Sequence, residues 1–147
     1  MKKKERGSFE VLFKNLVDER DMLIQPFQET IVSLGEASLM IFNGKYTHSI
    51  LKKAKEGDYR VQENFGGGVY DYTPTPEEIS FAENVFKMCD PMPAYGRVDI
   101  ILDIDGAILL GELEIIEPEL WIRNCPEAAE NFVDGIVHYL NTPPKTV

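Results

Sequence analysis

The chain of 147 residues has few cysteines and no long apolar run. Cys89 and Cys125 are its two cysteines, and their spacing is not that of a metal site, so free thiols in a reducing compartment are expected. No segment approaches the roughly 20 consecutive apolar residues that a membrane span needs. The basic N-terminal residues are not followed by the apolar segment of a signal peptide. We therefore expect a cytoplasmic protein that does not bind membranes.

Positive charge is also scarce. Fifteen Lys and Arg residues stand against 25 Asp and Glu residues, which gives a formal net charge of −10. This excess of negative charge argues against binding of nucleic acid or anionic membranes through bulk electrostatics. The apolar content of 44% is ordinary for a globular protein, and a chain of this length most simply forms one domain.

Apolar periodicity and turn signals predict an antiparallel sheet covered by helices. A first helix is predicted from Ser8, and Thr75 followed by Pro76 is the typical start of a second helix. Strands are predicted at 22–27, 36–42 and 46–51, then at a hairpin within 95–117, and a last helix is predicted over about 126–140. The predicted fold class is α+β.

The predicted hairpin carries three carboxylates among apolar residues. Glu112 and Glu114 are two residues apart, so they share one face of a strand. If the turn centres on Asp105-Gly106, Asp99 lies opposite Glu112. Three carboxylates so close together repel one another unless a cation lies among them, and Mg²⁺ prefers such oxygen ligands. The alternative for Glu112 and Glu114 is a solvent-facing strand edge.

Other residues fit a site for a polyphosphate. Lys52, Lys53 and Arg60 offer positive charge, and the glycines at 66–68 offer a flexible cover. Each signal is weak alone. Arg60 is of a type usually found at the surface, and the glycine triplet matches neither the P-loop nor the dinucleotide-binding pattern.

Taken in order, the motifs QPF, GE, LKK, GDYRVQENFGGG, GRVD and GELEIIEPELW resemble those of the C-terminal half of an ATP-grasp ligase. The similarity is greatest to bacterial glutathione-synthetase-like and RimK-like members, and it runs from about Asp21 to Leu140. It implies a division into an N-terminal tail and lead-in helix (1–20), a subdomain like the C-terminal ATP-grasp subdomain (21–142) and a tail (143–147).

The resemblance implies a role for several residues. Backbone groups around Gln25 and Phe27 would contact adenine, and Glu36 would bind the ribose hydroxyls. Lys52 would lie near the nucleotide phosphates. Arg60 would bind phosphate and act as the catalytic residue that stabilises the transition state.

The implied cofactors are ATP and two Mg²⁺ ions, with Asp99, Glu112 and Glu114 as the metal ligands. Many family members carry Asn at the position of Glu114. The implied reaction is ATP-dependent ligation of a small carboxylate substrate to an amine. The carboxylate attacks the γ-phosphate, an acyl phosphate forms, and the amine displaces phosphate. Such catalysis depends on positioning and charge neutralisation.

A full ATP-grasp enzyme has a preceding subdomain that closes over the phosphates, and this sequence does not supply one. A separate chain or a homo-oligomer would complete the cleft. Alternatively, the chain is a non-catalytic nucleotide-binding or interaction domain, a truncated remnant of such a ligase. A third possibility is a metal-binding α+β domain unrelated to ATP. Without the second wall, we expect apolar surface near Met22, Ile24 and Met40 to be uncovered.

Overall fold

The structure, a computed structural model, describes residues 3–55, 57–61 and 66–142. Both predicted tails therefore lie partly or wholly outside the described residues, and the predicted division into tails and subdomain stays a prediction. The elements follow in the order α1 (Lys3–Glu19), α2 (Thr30–Ser33), β1 (Glu36–Phe42), β2 (Lys45–Lys53), β3 (Gly68–Asp71), α3 (Pro76–Lys87), β4 (Tyr95–Leu102), β5 (Ile108–Glu114) and α4 (Ala128–Asn141).

The strands form one antiparallel sheet in the order β3-β2-β1-β4-β5, which confirms the predicted α+β class. β1 lies at the centre, and all seven of its residues are buried. Its register with β2 places Glu36 beside Lys52, and its register with β4 places Ser38 beside Asp99. The most buried strand thus carries both core residues and polar residues.

The two faces of the sheet are covered differently. On one face α3 packs on the sheet, and Leu39, Val98 and Phe86 form the centre of an apolar core. On the other face Trp121 and α4 cover one end of the sheet, where they pack on Met40. The opposite end of that second face carries the charged residues described below. None of the helices in the described residues is long and apolar enough to cross a membrane.

Local signals in the sequence explain two of the element boundaries. Asn43 and Gly44 both have positive φ, 50° and 72°, as a type I′ turn between β1 and β2 requires. α3 begins with a capping box in which the Thr75 hydroxyl accepts the backbone N–H of Glu78, while the Glu78 carboxylate accepts that of Thr75. Both boundaries agree with the prediction.

The predicted strand at 22–27 is wrong. These residues have no regular secondary structure, and all of them are exposed. The segment lies outside the sheet, whose edges are β3 and β5, so no strand pairs with its backbone. The expected uncovered apolar surface is confirmed at Met22 and Ile24 but wrong at Met40, which is fully buried against Trp121.

The first helix is also longer than predicted, since it begins at Lys3 rather than at Ser8. Its residues Phe9, Leu12 and Phe13 are exposed. α1 and the segment 21–27 therefore each carry apolar side chains that the rest of the described chain leaves exposed.

A substitution at Phe86 tests the packing of the core between α3 and the sheet. We expect Phe86→Ala to lower the free energy of unfolding by about 3–5 kcal/mol, because it removes a fully buried ring and leaves a cavity against Val98. Met88, just beyond the same helix, is exposed, so Met88→Ala should change it by no more than about 0.5 kcal/mol. Urea denaturation of the two variants measures the difference, and equal effects would contradict this description of the core.

Candidate active site

The β4–β5 hairpin brings the predicted carboxylates together. Asp99 pairs with Glu112, as predicted, and Arg97 pairs with Glu114. The turn, however, is longer than the predicted two-residue type. It spans the residues between Leu102 and Ile108, and the Asp103 carboxylate accepts backbone N–H groups within it. The register prediction was therefore right although the turn prediction was wrong.

A β-bulge at Gly111 accounts for the register. Asp99 pairs with Glu112 while Ile100 pairs with Leu110, so Gly111 is an extra residue on β5. A Cβ at Gly111 would lie 2.9 Å from a carboxylate oxygen of Glu36. Glycine therefore allows the Glu36 side chain to approach the hairpin closely, and the bulge directs Glu112 toward the same face as Asp99.

Arg97 lies among the three predicted metal ligands. Its Nε donates to Asp99 Oδ1 at 2.7 Å, and its Nη2 donates to Asp99 Oδ2 at 2.9 Å. Nη2 also reaches Glu112 Oε2 at 3.2 Å, and Nη1 pairs with Glu114 Oε2. The sequence motif GRVD contains this arginine, and the predicted site does not include it. Its spacing of two from Asp99 was the signal that places both side chains on one face.

Lys52 extends the group of charges toward β1. Its Nζ lies 2.7 Å from Glu36 Oε2 and 2.7 Å from Asp99 Oδ2. The residues predicted for ribose and phosphate binding thus share one group with the predicted metal ligands. We call this group the charged cluster: Glu36, Lys52, Arg97, Asp99, Glu112 and Glu114. Four carboxylates and two cations leave it a formal charge of −2.

Burial and ion pairing set the protonation states in the charged cluster. Burial raises the pKa of the Asp99 carboxyl, but hydrogen bonds from Arg97 and the charges of Lys52 and Arg97 outweigh burial and hold this pKa below its usual range. Burial raises the pKa of Glu36, and the attraction of Lys52 does not cancel this rise. Asp99 is therefore ionised at neutral pH, whereas Glu36 takes up a proton more readily than an exposed glutamate.

Trp121 and His48 fix the position of the Arg97 side chain. The guanidinium carbon of Arg97 lies 5.4 Å from the centroid of the Trp121 ring, at cation–π distance. The backbone N–H of Trp121 donates to Glu119, and His48 Nε2 donates to the Leu120 carbonyl at 2.8 Å. Arg97 is consequently held between a buried ring and the carboxylates.

Ser38 is buried on the same face, beside Asp99. Its hydroxyl has no hydrogen-bond partner within the described parts of the chain. Buried hydroxyl groups are usually satisfied, so an unpaired hydroxyl next to a charged cluster indicates a place for a polar ligand or water.

The remaining predicted residues have the following contacts and exposure in the described parts of the chain. Arg60 pairs with Asp58, with Nη2 at 2.6 Å from Oδ2. Phe27 packs edge-on against Tyr59 at 5.7 Å between centroids, and Gln25 is exposed. Their predicted roles at a nucleotide stay predictions.

The glycines at 66–68 were predicted to form a flexible cover, but two of them are part of packed structure. Gly68 opens β3, and a Cβ at Gly67 would overlap the carbonyl oxygen of Val61. Close backbone packing therefore accounts for glycine at position 67, and the Tyr70 ring lies where a Cβ at Gly68 would be.

No family model matches the chain. The sequence is 26% identical over 132 residues to the cycloserine biosynthesis protein DcsG of Streptomyces lavendulae, a match that covers 85% of this chain and 44% of that protein. The chain thus spans less than half the length of the curated relative that it matches.

Two solved structures share the fold. The crystal structure of D-cycloserine synthetase DcsG gives a TM-score of 0.65 at 24% identity, over 78% of this chain and 41% of that one. D-alanine–D-alanine ligase from Bacillus anthracis, complexed with ATP, gives 0.53 at 15% identity, over 93% of this chain and 46% of that one. These likenesses confirm, at the level of the fold, the resemblance to part of an ATP-grasp ligase.

A substitution at Lys52 tests the electrostatics of the charged cluster. We expect Lys52→Met to lower the free energy of unfolding by about 3–5 kcal/mol, because it leaves Glu36 and Asp99 buried without one of their cations. Lys45 pairs with Glu83 at an exposed site, so Lys45→Met should cost at most about 1 kcal/mol.

The loss in free energy of unfolding caused by Lys52→Met should also depend on pH. Loss of the positive charge raises the folded-state pKa of Glu36, which burial has already raised. The folded variant then binds protons more tightly than the unfolded chain, so its stability falls as pH rises through that pKa. Urea denaturation should show a smaller deficit at about pH 5 than at about pH 7. A deficit that is independent of pH would contradict this account.

Proposed function

We propose that this chain forms the metal- and nucleotide-binding part of an ATP-dependent carboxylate–amine ligase. The observation that carries the proposal is the charged cluster, in which Asp99, Glu112 and Glu114 meet two cations on one face of the sheet. The similarity to DcsG in sequence and fold, and to an ATP-complexed ligase in fold, supports it.

The donor atoms suit Mg²⁺, since carboxylate oxygens are the ligands that this ion prefers. Asp99, Glu112 and Glu114 would hold it. The Ser38 hydroxyl, which has no hydrogen-bond partner among the described residues, would form a hydrogen bond with bound water. When bound, the ion supplies positive charge that neutralises phosphate oxygens. In the described parts of the chain, no three His, Cys, Asp or Glu side chains are already arranged as metal ligands. Arg97 lies among the three carboxylates instead.

The protein has little covalent chemistry to perform in this reaction. A carboxylate oxygen of the substrate attacks the γ-phosphorus of ATP, the bond to the ADP oxygen breaks, and an acyl phosphate forms. An amine nitrogen then attacks the acyl carbon, the bond from that carbon to the phosphate oxygen breaks, phosphate leaves, and the nitrogen loses a proton to form the amide. Lys52 and Arg97 would place positive charge near the phosphate oxygens, and Arg60 would add to it. Positioned charge of this kind is the main catalytic device of phosphoryl transfer.

The proposal needs a second subdomain to cover the nucleotide. The chain spans less than half of each similar protein, so another chain, a second copy or further polypeptide would provide it. The exposed Met22, Ile24 and Phe27 offer apolar surface for that contact. We place the reaction in the cytoplasm, where Mg·ATP is abundant and free Cys89 and Cys125 stay reduced.

A non-catalytic interaction domain is the second candidate. The exposed residues Phe9, Leu12 and Phe13 of α1 favour it, because an apolar helix surface is typical of protein–protein contacts. ADP release that requires both an amine acceptor and a partner chain would support the ligase, whereas partner binding without any nucleotide effect would support the interaction domain.

Calorimetric titration with Mg·ATP tests the proposed function. We expect the wild-type chain to bind, and Glu112→Gln to weaken binding by about tenfold, equivalent to about 1.4 kcal/mol, because one metal ligand is lost. Glu83 is a carboxylate of α3 that pairs with Lys45 and Lys87, so Glu83→Gln is the matched control and should bind like wild type. No binding by wild type, or equal binding by Glu112→Gln, would contradict the proposal.

A further inference from the structure

We propose that α1 pairs with α1 of a second copy of this chain, as two antiparallel helices related by a twofold axis at Leu12. The proposal goes beyond the proposed function, because α1 carries none of the residues assigned above to a nucleotide or a metal. It gives the exposed apolar face of α1 one partner and one orientation.

The apolar face of α1 is a single stripe along the helix. Its members recur at the spacing i, i+3, i+4, i+7 and i+8, which places them on one side of a helix. We call them the α1 stripe: Phe9, Leu12, Phe13, Leu16 and Val17. Within it, Phe9 and Leu12 are 54% and 52% exposed, so the described parts of the chain do not bury the stripe.

α1 needs a contact that the described residues do not provide. Most of the stability of a helix in a protein comes from the packing of its apolar face. α1 also contains Gly7, and a glycine inside a helix costs roughly 1 kcal/mol relative to alanine. A partner that buries the α1 stripe would therefore stabilise the helix itself.

Two opposite charges beside the α1 stripe favour a second copy in the antiparallel orientation. Glu10 and Lys14 lie about one helical turn apart on the same side of the stripe, and neither has an ion-pair partner in the described parts of the chain. Both are two residues from Leu12, so a twofold axis there places Glu10 of each helix level with the partner's Lys14. A parallel pair would place each charge level with its own copy, and like charges repel.

The same twofold axis makes the apolar side chains interdigitate. At a rise of 1.5 Å per residue, Phe9 of one helix lies within about 1.5 Å of the level of the partner's Leu16 along the helix axis. Leu12 meets its own copy at the centre of the pair. The α1 stripe is therefore complementary to itself, as the contact surface of a twofold dimer has to be.

Leu12→Glu tests the pairing when it is compared with Val11→Glu by sedimentation equilibrium. We expect the wild-type chain to dimerise and Leu12→Glu to weaken dimerisation at least about tenfold, because it brings two carboxylates together at the centre of the pair. Val11 is 60% exposed and lies on the opposite side of α1 from the stripe, so Val11→Glu adds the same charge and should dimerise like wild type. Because Leu12 is exposed, its substitution should leave the core intact, which near-UV circular dichroism of Trp121 verifies.

Charge reversal tests the orientation of the two helices. Lys14→Glu alone should weaken dimerisation by about two- to fivefold, the effect of replacing two exposed ion pairs by like charges. Adding Glu10→Lys to that variant restores opposite charges at the same levels and should recover the wild-type affinity. A different kind of partner would give no such recovery of self-association.

Four results would overturn the proposal. They are a wild-type chain that stays monomeric, a wild-type chain that binds only a separate chain carrying the second subdomain, equal dimerisation of Leu12→Glu and Val11→Glu, and a double variant as weak as Lys14→Glu. These results are separable from those of the proposed function. A monomeric wild type that binds Mg·ATP would keep the proposed function and overturn the pairing, whereas a dimer that does not bind Mg·ATP would support the pairing and contradict the proposed function.

Discussion

The buried ion pair between Arg97 and Asp99 is the interaction on which the arrangement of the charged cluster depends. Asp99 is fully buried, and burial of a lone carboxylate costs several kcal/mol. The fork of Arg97 and the ammonium of Lys52 offset this cost by contacting both Asp99 oxygens. Because these side chains come from β4 and β2, the ion pairs require that both strands flank β1 in the observed register. Loss of any one partner leaves the others buried and uncompensated.

β1 links this cluster to the apolar core. Its alternate residues face opposite sides, so Leu39 and Ile41 pack toward α3 while Glu36 and Ser38 face the cluster. Every residue of the strand is buried, so the candidate site is built on a strand that solvent does not reach. Charged groups built on such a strand are held by packing as well as by their ion pairs.

The predicted turn at Asp105-Gly106 gave the facing pair Asp99 and Glu112, and this pair is observed although the turn itself is different. A two-residue turn centred on Asp105-Gly106 would produce that pair directly. The structure has a longer turn and then a bulge at Gly111, and the two deviations cancel in the register. Gly111 sits inside a strand between apolar and acidic residues, which is a typical sequence signal of a bulge. The spacing of carboxylates was thus predictable, while the path of the backbone that produces it was not.

Whether a carboxylate cluster holds an arginine or a metal could not be read from the sequence. Both solutions need the same acidic residues at the same spacing, and the choice depends on whether a long side chain from a neighbouring position reaches inward. An arginine belongs to the chain and is therefore always present, and its planar guanidinium forms paired hydrogen bonds with carboxylates. It carries only one positive charge, however, and its hydrogen bonds tolerate a range of distances and angles. A divalent cation brings two charges at short range but has to be supplied and dehydrated. With Arg97 and Lys52 in place, the four carboxylates keep a formal charge of −2, so the ion pairs within the cluster do not neutralise them fully.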